Sequence, residues 1–471
     1  MKAPACARAP APARVRVRGL VLAAVALVLA GILPGCPRDA ANDGDPAFPA
    51  AVASAVEPGQ GSRHVFDEDA PPRTFRVEVA PQDWEWLNAH ATEETYVPAR
   101  VVFEGEAYEN ASIRFKGSYG SLFSCFDDAG NRTCPKLSMK VSFNETDPQG
   151  RFLGLRKLVF NSCNRDPSCL RERTAYALFR AAGLPASRAV HVLLQVNDAP
   201  AGLFLLVENP DKEFLQDHFR DPGGNLYKEA WPWSLEAAGY AKALQTNEDA
   251  PDVSRLLQFA ALLHDLPEGG FNEAVDPWID RDAMARYLAV DLFLHDWDGI
   301  TRLYCGPNAT TRDDCGNHNF LLYDDPATGR FTVIPWDQDH SLEAPDTDLG
   351  RSWWDDGPDA CKVAASGWVG ILPARCDPLL RGLLRDNWNA YLDYQRAWSQ
   401  DDGILSRASV QARLDRYRAQ VLQAVAEDPD GPTMPDWRRA TARLREILAA
   451  QAVEVGRLLE WSGPAAGRGE R

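Results

Sequence analysis

Two short apolar runs flanked by acidic and amide side chains constrain the fold of this chain more than any other feature. Residues 321–323 and 331–334 predict two strands, and the sequence DDPATG between them predicts the turn of a β-hairpin. A hairpin brings the residue before its first strand close to the residues after its second. We therefore expect Asn319 to lie near Asp337 and Asp339.

These oxygen-bearing side chains predict a cation site. Asp296 and Asp298 precede the hairpin in the sequence HDWDG, and Asp337 and Asp339 follow it in IPWDQDH. Carboxylate and amide oxygens are hard ligands that suit Mg²⁺, Mn²⁺ or Ca²⁺. Phosphoryl transfer uses such a set: one carboxylate accepts the hydroxyl proton, while an Asn and an Asp hold Mg²⁺. Turn and cap chemistry is the alternative, because Asp298 also fits the end of a helix predicted at 280–295.

The order of these motifs resembles that of the CotH-type atypical kinases. The matching steps are DWD at 296–298, HN at 318–319 and PWDQD at 335–339. Upstream the resemblance extends to IRFKGS at 113–118, KLSMKVSF at 136–143, LRER at 170–173, GLFLLVE at 202–208 and GNLYK at 224–228, and in all it covers residues 75–459. This chain departs from the usual pattern in having Asp296 where Asn is frequent, and in an insertion bounded by Cys305 and Cys315.

The resemblance implies an α+β fold of the two-lobed, kinase-like kind. Residues 71–230 would form a β-rich N-terminal lobe, and residues 231–465 a mainly helical C-terminal lobe with the acidic hairpin at the cleft between them. The residue patterns agree with this order. Alternating apolar and polar residues predict strands and few helices before about residue 230, and helical periodicity dominates after it.

In a kinase-like arrangement, a Lys on a strand reaches the nucleotide phosphates and a Glu from a packed helix holds it. The candidates for these two roles, and for further contacts in the nucleotide cleft, are Lys116, Lys136, Lys140, Glu172, Glu208 and Lys228. The sequence does not choose among the three strand lysines. Lys116 is preferred because Gly117 beside it lets a backbone approach a ligand closely. The alternative for each is an exposed charge or a surface ion pair.

The resemblance further implies Mg²⁺- or Mn²⁺-dependent transfer of the γ-phosphoryl group of ATP to a protein hydroxyl. Asp298 would orient or deprotonate the hydroxyl with support from Asp296, Asn319 and Asp337 would hold the metal, and Asp339 would add a second contact. Two other functions remain open. The same acids could bind Ca²⁺ in a non-catalytic surface-binding module of the cell envelope, or serve a metal-dependent phosphate-ester hydrolase.

The N-terminal residues predict export. Four Arg residues between positions 8 and 18 precede an apolar run at 20–33, and the sequence LPGC at 33–36 follows. This pattern predicts a signal peptide with a lipoprotein cleavage site, and hence a lipid anchor to the membrane at Cys36 in a bacterial envelope. Residues 37–70 are rich in Ala, Pro, Gly and Asp, which predicts a disordered tether.

Charge and cysteine content narrow the class of protein further. The net charge is −17, and removal of residues 1–35 leaves 45 basic against 67 acidic residues, a net charge of −22. Nucleic acid is therefore a poor partner. Apart from Cys6 and Cys36, the cysteines form four close pairs: Cys125/Cys134, Cys163/Cys169, Cys305/Cys315 and Cys361/Cys376. This spacing predicts four local disulfides in an oxidising compartment. The protein substrate and the oligomeric state cannot be read from the sequence.

Overall fold

The computed structural model describes residues 60–118, 122–266, 269–306, 309–344, 360–363, 370–400 and 402–460. Within these ranges the fold is mixed α+β, with a strand-rich N-terminal half and helices throughout. The predicted signal peptide, Cys36 and most of the predicted tether lie outside the described residues. No helix of the described part combines the length and the apolar character that crossing a bilayer requires.

Seven strands close into a barrel. They are β1 (Arg73–Glu78), β2 (Val97–Phe103), β3 (Glu106–Phe115), β4 (Met139–Ser142), β5 (Lys157–Asn161), β6 (Ala189–Val196) and β7 (Gly202–Glu208). Their order around the barrel is β1-β2-β3-β4-β5-β7-β6, and the closing pair, β1 and β6, is the one parallel pair among them. The sequence predicts each strand, but not the closure, because the pairing of β1 with β6 joins distant parts of the chain.

Strand β7 forms a wall shared by two hydrophobic cores. Phe204 and Leu206 pack into the barrel, whereas Leu203, Leu205 and Val207 belong to the core formed with the helices. Every residue of β7 is buried. A strand covered on both faces reads as a continuous apolar run instead of an alternating one, which is why this segment carries the sequence GLFLLVE.

Twelve helices are described. They are α1 (Gln60–Val65), α2 (Pro81–Ala89), α3 (Arg171–Ala181), α4 (Lys212–His218), α5 (Ala237–Ala243), α6 (Ser254–His264), α7 (Phe271–Val275), α8 (Arg281–Leu294), α9 (Pro378–Asp386), α10 (Trp388–Trp398), α11 (Arg407–Glu427) and α12 (Met434–Glu460). Helical periodicity predicts one helix over residues 379–398, but the structure has two there, α9 and α10. The chain breaks at Asn387, whose amide donates to Asn272 (2.9 Å) and accepts from Arg281 (2.6 Å).

Two three-stranded sheets complete the described fold. One contains β8 (Leu226–Lys228), β11 (Phe320–Asp325) and β12 (Arg330–Pro335), and the other contains β9 (Arg302–Cys305), β10 (Cys315–Gly316) and β13 (Gly370–Pro373). Strands β11 and β12 form the predicted antiparallel hairpin, with Phe320 opposite Pro335. At its open end the Trp336 backbone N–H donates to the Asn319 carbonyl (3.0 Å), so residues 319 and 336 are neighbours.

The disorder predicted for the tether extends too far towards its C-terminal end. Residues 60–65 form α1, and Val65 and Phe66 are buried in the barrel core. Arg188 lies over the Phe66 ring at 5.1 Å. The prediction of disorder up to Ala70 is therefore wrong for this part, because two apolar side chains in a polar stretch are sufficient to dock it.

All four predicted disulfides are present. They join Cys125 to Cys134, Cys163 to Cys169, Cys305 to Cys315 and Cys361 to Cys376. The pair Cys305–Cys315 links β9 to β10 and closes the insertion that precedes the hairpin. Four disulfides in one chain indicate an extracellular or otherwise oxidising environment.

Candidate functional site

A cleft of about 270 Å³ lies between the barrel and the sheet of β8, β11 and β12. Its cationic lining consists of Arg114 of β3, Lys116 just after β3, Lys140 of β4 and Lys228 of β8. Arg114 is paired with Glu94 at 2.8 Å, so three lysines against one further acid, Asp337, leave the described lining with an excess of positive charge. We call this feature the cationic cleft. In a chain whose net charge is −17, such a concentration of lysines indicates an anion-binding site.

Lys140 is the most perturbed of these cations. It lies opposite Arg114 in the pairing of β3 with β4, and its side chain is half-buried. Burial, followed by the positive charges of Lys157, Arg114 and Lys116, lowers the pKa of Lys140 to about 7. Cations therefore repel one another across the cleft. A bound polyphosphate would relieve this repulsion and favour the charged form of Lys140.

Anion binding in the cationic cleft should depend on pH through Lys140. Because its pKa is about 7, Lys140 gains its charge as the pH falls from 9 to 7, and we expect the affinity for metal-free ATP to rise over that range. Titration calorimetry of the wild type and Lys140→Met checks this. ATP ionisation contributes equally to both proteins, so the difference between their pH slopes isolates Lys140. Equal slopes would contradict the assignment.

An asparagine links the cleft to a buried glutamate. Lys116 Nζ donates to Asn161 Oδ1 (2.8 Å), and Asn161 Nδ2 donates to both carboxylate oxygens of Glu172 (3.0 and 2.9 Å). Asn161 is the last residue of β5, and Glu172 lies in the first turn of α3. The sequence predicted Glu172 as a candidate partner of one of the strand lysines, with Lys116 preferred, and it missed Asn161. Its position at the end of the apolar strand LVF was the available signal.

Three carboxylates meet beside this link. Burial, then the charges of Asp337 and Asp339, raise the pKa of Glu172 to about 8. Burial and Asp337 likewise raise the pKa of Asp339 to about 7. Asp337 has a left-handed backbone (φ 50°), which Asp tolerates better than most residues. Through this turn, Asp337 reaches the wall of the cationic cleft.

The side chains predicted to bind metal carry oxygen atoms of the kind that Mg²⁺ or Mn²⁺ requires, but these side chains do not form a single cluster. Over the described ranges, no group of three or more His, Cys, Asp or Glu side chains is arranged to hold a metal ion. Asp337 and Asp339 influence each other electrostatically, and both face Glu172. Carboxylate oxygens of this kind are suited to a hard divalent cation that brings its own water and phosphate ligands.

Asp298 and Asn319 form a second, adjacent group. Asn319 Nδ2 donates to Asp298 Oδ2 (2.8 Å), whereas the hydroxyl of nearby Tyr304 donates to the Trp297 carbonyl (2.8 Å). Burial raises the pKa of Asp298, although His340 and Asn319 oppose the shift. The amide nitrogen of Asn319 therefore holds the Asp298 carboxylate in place. The hairpin brings the backbones of Asn319 and Trp336 together, whereas the Asp337 side chain lines the cationic cleft.

Asp296 lies behind Asp298 and is buried, with 2% of its surface exposed. Its Oδ1 accepts from the Asp298 backbone N–H at 3.2 Å. Burial, then the charges of Asp291 and Asp298, raise the pKa of Asp296 well above its usual value. The Asp339 charge contributes as well, so the two groups of acids are close enough to interact.

Two of the residues predicted to contact the nucleotide lie outside the described lining of the cationic cleft. Lys136 precedes β4 instead of lying on it, and its buried Nζ contacts Asp428 Oδ2 (2.6 Å) and the Leu203 carbonyl (2.7 Å). Glu208 is buried and accepts from the backbone and side chain of Arg188. Neither residue lines the cationic cleft as described. Both meet partners that are distant in sequence, which strand patterns cannot show.

Lysines facing a shared cleft, with buried carboxylates next to them, are the kinds of side chain that phosphate-handling sites use. Comparison with protein families is in line with this chemistry. The family model described as "CotH kinase protein" matches residues 113–453. The chain belongs to the CotH kinase family.

Individual relatives were also found. Inner spore coat protein H of Bacillus subtilis is 25% identical over 279 residues, which are 56% of this chain and 67% of that protein. The inner spore coat protein H-like protein of the same organism is 35% identical over 74 residues, 16% of this chain and 22% of the relative. Among solved structures, the proinflammatory kinase CtkA of Helicobacter pylori matches 72% of this chain and 94% of its own, with 11% identity and a TM-score of 0.23.

Proposed function

We propose that the protein is a protein kinase that transfers the γ-phosphoryl group of ATP to a Ser or Thr hydroxyl with Mg²⁺ or Mn²⁺. The observation that carries this proposal is the link Lys116–Asn161–Glu172 at the edge of the cationic cleft. In phosphoryl transfer, a lysine held by a glutamate positions the phosphates, and the protein contributes mainly orientation and charge. Family membership supports the same class of reaction.

The geometry supports one proposed role for each of these residues. Lys116, Lys140 and Lys228 would bind the phosphates in the cationic cleft, with Glu172 holding Lys116 through Asn161. Asp337 and Asp339 would hold the metal, which supplies charge neutralisation on the phosphates when bound. Asp298, held by Asn319, would orient the acceptor hydroxyl and accept its proton, and buried Asp296 would support the turn that carries Asp298.

The proposal includes a two-lobed, kinase-like arrangement. The barrel of β1 to β7 would be the N-terminal lobe, and the helices after residue 231 would form the C-terminal lobe, with the acidic hairpin of β11 and β12 at the cleft. We also propose that the protein is exported and anchored to the bacterial envelope by a lipid at Cys36. Its disulfides support the oxidising compartment.

A labelled-phosphate assay tests the reaction. Purified protein is incubated with γ-labelled ATP, Mg²⁺ or Mn²⁺ and a generic protein acceptor, and label in protein is separated from free phosphate. Lys116→Met removes the charge but keeps the stem beside Trp336, so we expect transfer to fall by about 100-fold. Lys242→Met, at an exposed lysine outside the cleft, is the matched control.

Each result of this assay has a clear meaning. Protein labelling that requires Lys116 but not Lys242 supports the kinase. Free phosphate without protein labelling would support a phosphate-ester hydrolase instead. A protein that binds no ATP and labels nothing, in either metal, would overturn the proposal and leave the non-catalytic envelope module.

A further inference from the structure

Two buried carboxylates near the C-terminal end of α8 have unused oxygens. Asp291 and Asp296 are only 1% and 2% exposed. One oxygen of each is bonded: Asp291 Oδ2 accepts from Thr301 Oγ1 (3.0 Å), and Asp296 Oδ1 accepts from the Asp298 backbone N–H (3.2 Å). Among the residues that the structure describes, Asp291 Oδ1 and Asp296 Oδ2 have no hydrogen-bond partner.

These two oxygens face one small volume beside Gly299. A Cβ built at Gly299 would lie 2.9 Å from Asp291 Oδ1 and 3.1 Å from Asp296 Oδ2. Glycine therefore keeps the space between the carboxylates clear, since any side chain would press on both oxygens. Gly299 follows Asp298 directly, so the same turn borders this volume and carries the proposed catalytic carboxylate.

A tyrosine adds a third oxygen. The Tyr287 side chain is 1% exposed, and its hydroxyl lacks a hydrogen-bond partner within the described ranges. Burial, then the charges of Asp291 and Asp296, raise the pKa of Tyr287, so these two acids are the charged groups that act on the hydroxyl. A hydroxyl near two bare carboxylates would ordinarily donate to one of them. In this structure it donates to neither, which leaves all three oxygens without a protein partner among the described residues.

The electrostatics of the site also favour a positive charge. An α-helix carries about −0.5 charge at its C-terminal end, and α8 ends at Leu294, between the two acids. Two buried carboxylates at that end add to the same negative potential. Burial of an unpaired charge is costly in free energy, and the cost is relieved either by protonation of the acids, whose pKa values burial raises, or by a counter-charge at the site.

We propose that Asp291, Asp296 and Tyr287 bind a Ca²⁺ ion that stabilises the turn carrying Asp298. Ca²⁺ accepts oxygen ligands in irregular geometry and completes its shell with water or backbone carbonyls, whereas Mg²⁺ demands a near-ideal octahedron. This site is separate from the metal at Asp337 and Asp339. The proposal is independent of the kinase reaction, because it concerns binding and stability in the absence of nucleotide.

Thermal unfolding of the full-length protein tests the site. Divalent ions are first removed with a chelator, and the midpoint is then measured against added Ca²⁺ without ATP. We expect Ca²⁺ to raise the midpoint of the wild type. Asp291→Asn should weaken Ca²⁺ binding by more than about 10-fold, because even outer-sphere changes weaken metal sites by about 10- to 100-fold. Asp313→Asn, at an exposed acid outside both proposed metal sites, is the matched control and should respond like the wild type, while Asp337→Asn reports separately on the nucleotide site.

The outcomes separate this site from the nucleotide site. No response of the wild type to Ca²⁺ would overturn the proposal, and so would a response that Asp291→Asn retains or that Asp337→Asn alone abolishes. If Asp291→Asn does not fold, Tyr287→Phe removes one ligand oxygen without changing charge, and it should still weaken Ca²⁺ binding. Unchanged Ca²⁺ affinity in Tyr287→Phe would then count against the site.

Discussion

Asp298→Asn is expected to lower the rate of phosphoryl transfer by about 10²- to 10⁴-fold, the usual contribution of a general base. The substitution keeps the size of the side chain but removes the carboxylate that accepts the Asn319 amide at 2.8 Å. Asp298 does not belong to the described lining of the cationic cleft, so the KM for ATP should change little while kcat falls. Initial rates at varied ATP, with label counted in protein, provide the measurement.

The pH profile gives this prediction a second readout. Burial raises the pKa of Asp298, so its carboxylate is lost by protonation at a higher pH than for an exposed Asp. Transfer by the wild type should therefore fall as the pH decreases through that raised value, and Asp298→Asn should lack this acid limb. Asp313→Asn, at an exposed acid in the insertion bounded by Cys305 and Cys315, is the control. A variant with wild-type kcat would remove Asp298 from the mechanism.

Local patterns predicted much of the fold because they depend on neighbouring residues. The hairpin of β11 and β12 and the four disulfides follow from alternation, turn residues and close cysteine spacing. Barrel closure, the break at Asn387 and the docking of Phe66 depend on contacts between distant segments. Periodicity contains no information about such contacts, so the sequence could not supply them.

In the candidate site, too, the sequence predicted local features but not the contacts between distant residues. The hairpin correctly places the backbones of residues 319 and 336 side by side, but the direction of each side chain depends on left-handed backbone at Asn319 and Asp337. Asn161 was missed because its role requires both Lys116 and Glu172 to be in place. Lys136 was predicted as a nucleotide contact because its strand pattern cannot show its actual partner. That partner, Asp428, lies 292 residues further along the chain.

Asp428→Ala should be among the most destabilising substitutions in the described part of the chain, at about 3–5 kcal/mol. Asp428 is 1% exposed at its side chain and pairs with Lys136, which is 9% exposed. Its Oδ2 also accepts from the Leu203 backbone N–H at 3.0 Å. Burial lowers the pKa of Lys136, and Asp428 is the main group that opposes this shift. Removal of the carboxylate would leave a buried ammonium without its counter-charge and a buried N–H without its acceptor.

The arrangement around Asp428 also explains why the loss should be global. Asp428 follows α11, Leu203 belongs to β7 and Lys136 precedes β4, so one carboxylate joins the barrel to the helices. Thermal midpoints of Asp428→Ala and of Asp430→Ala, an exposed neighbour expected to change stability by less than about 0.5 kcal/mol, measure the effect. The double variant Lys136→Met/Asp428→Ala should recover part of the loss, because it no longer buries an unpaired charge. If Asp428→Ala unfolds at the wild-type temperature, the pair does not hold the two parts together.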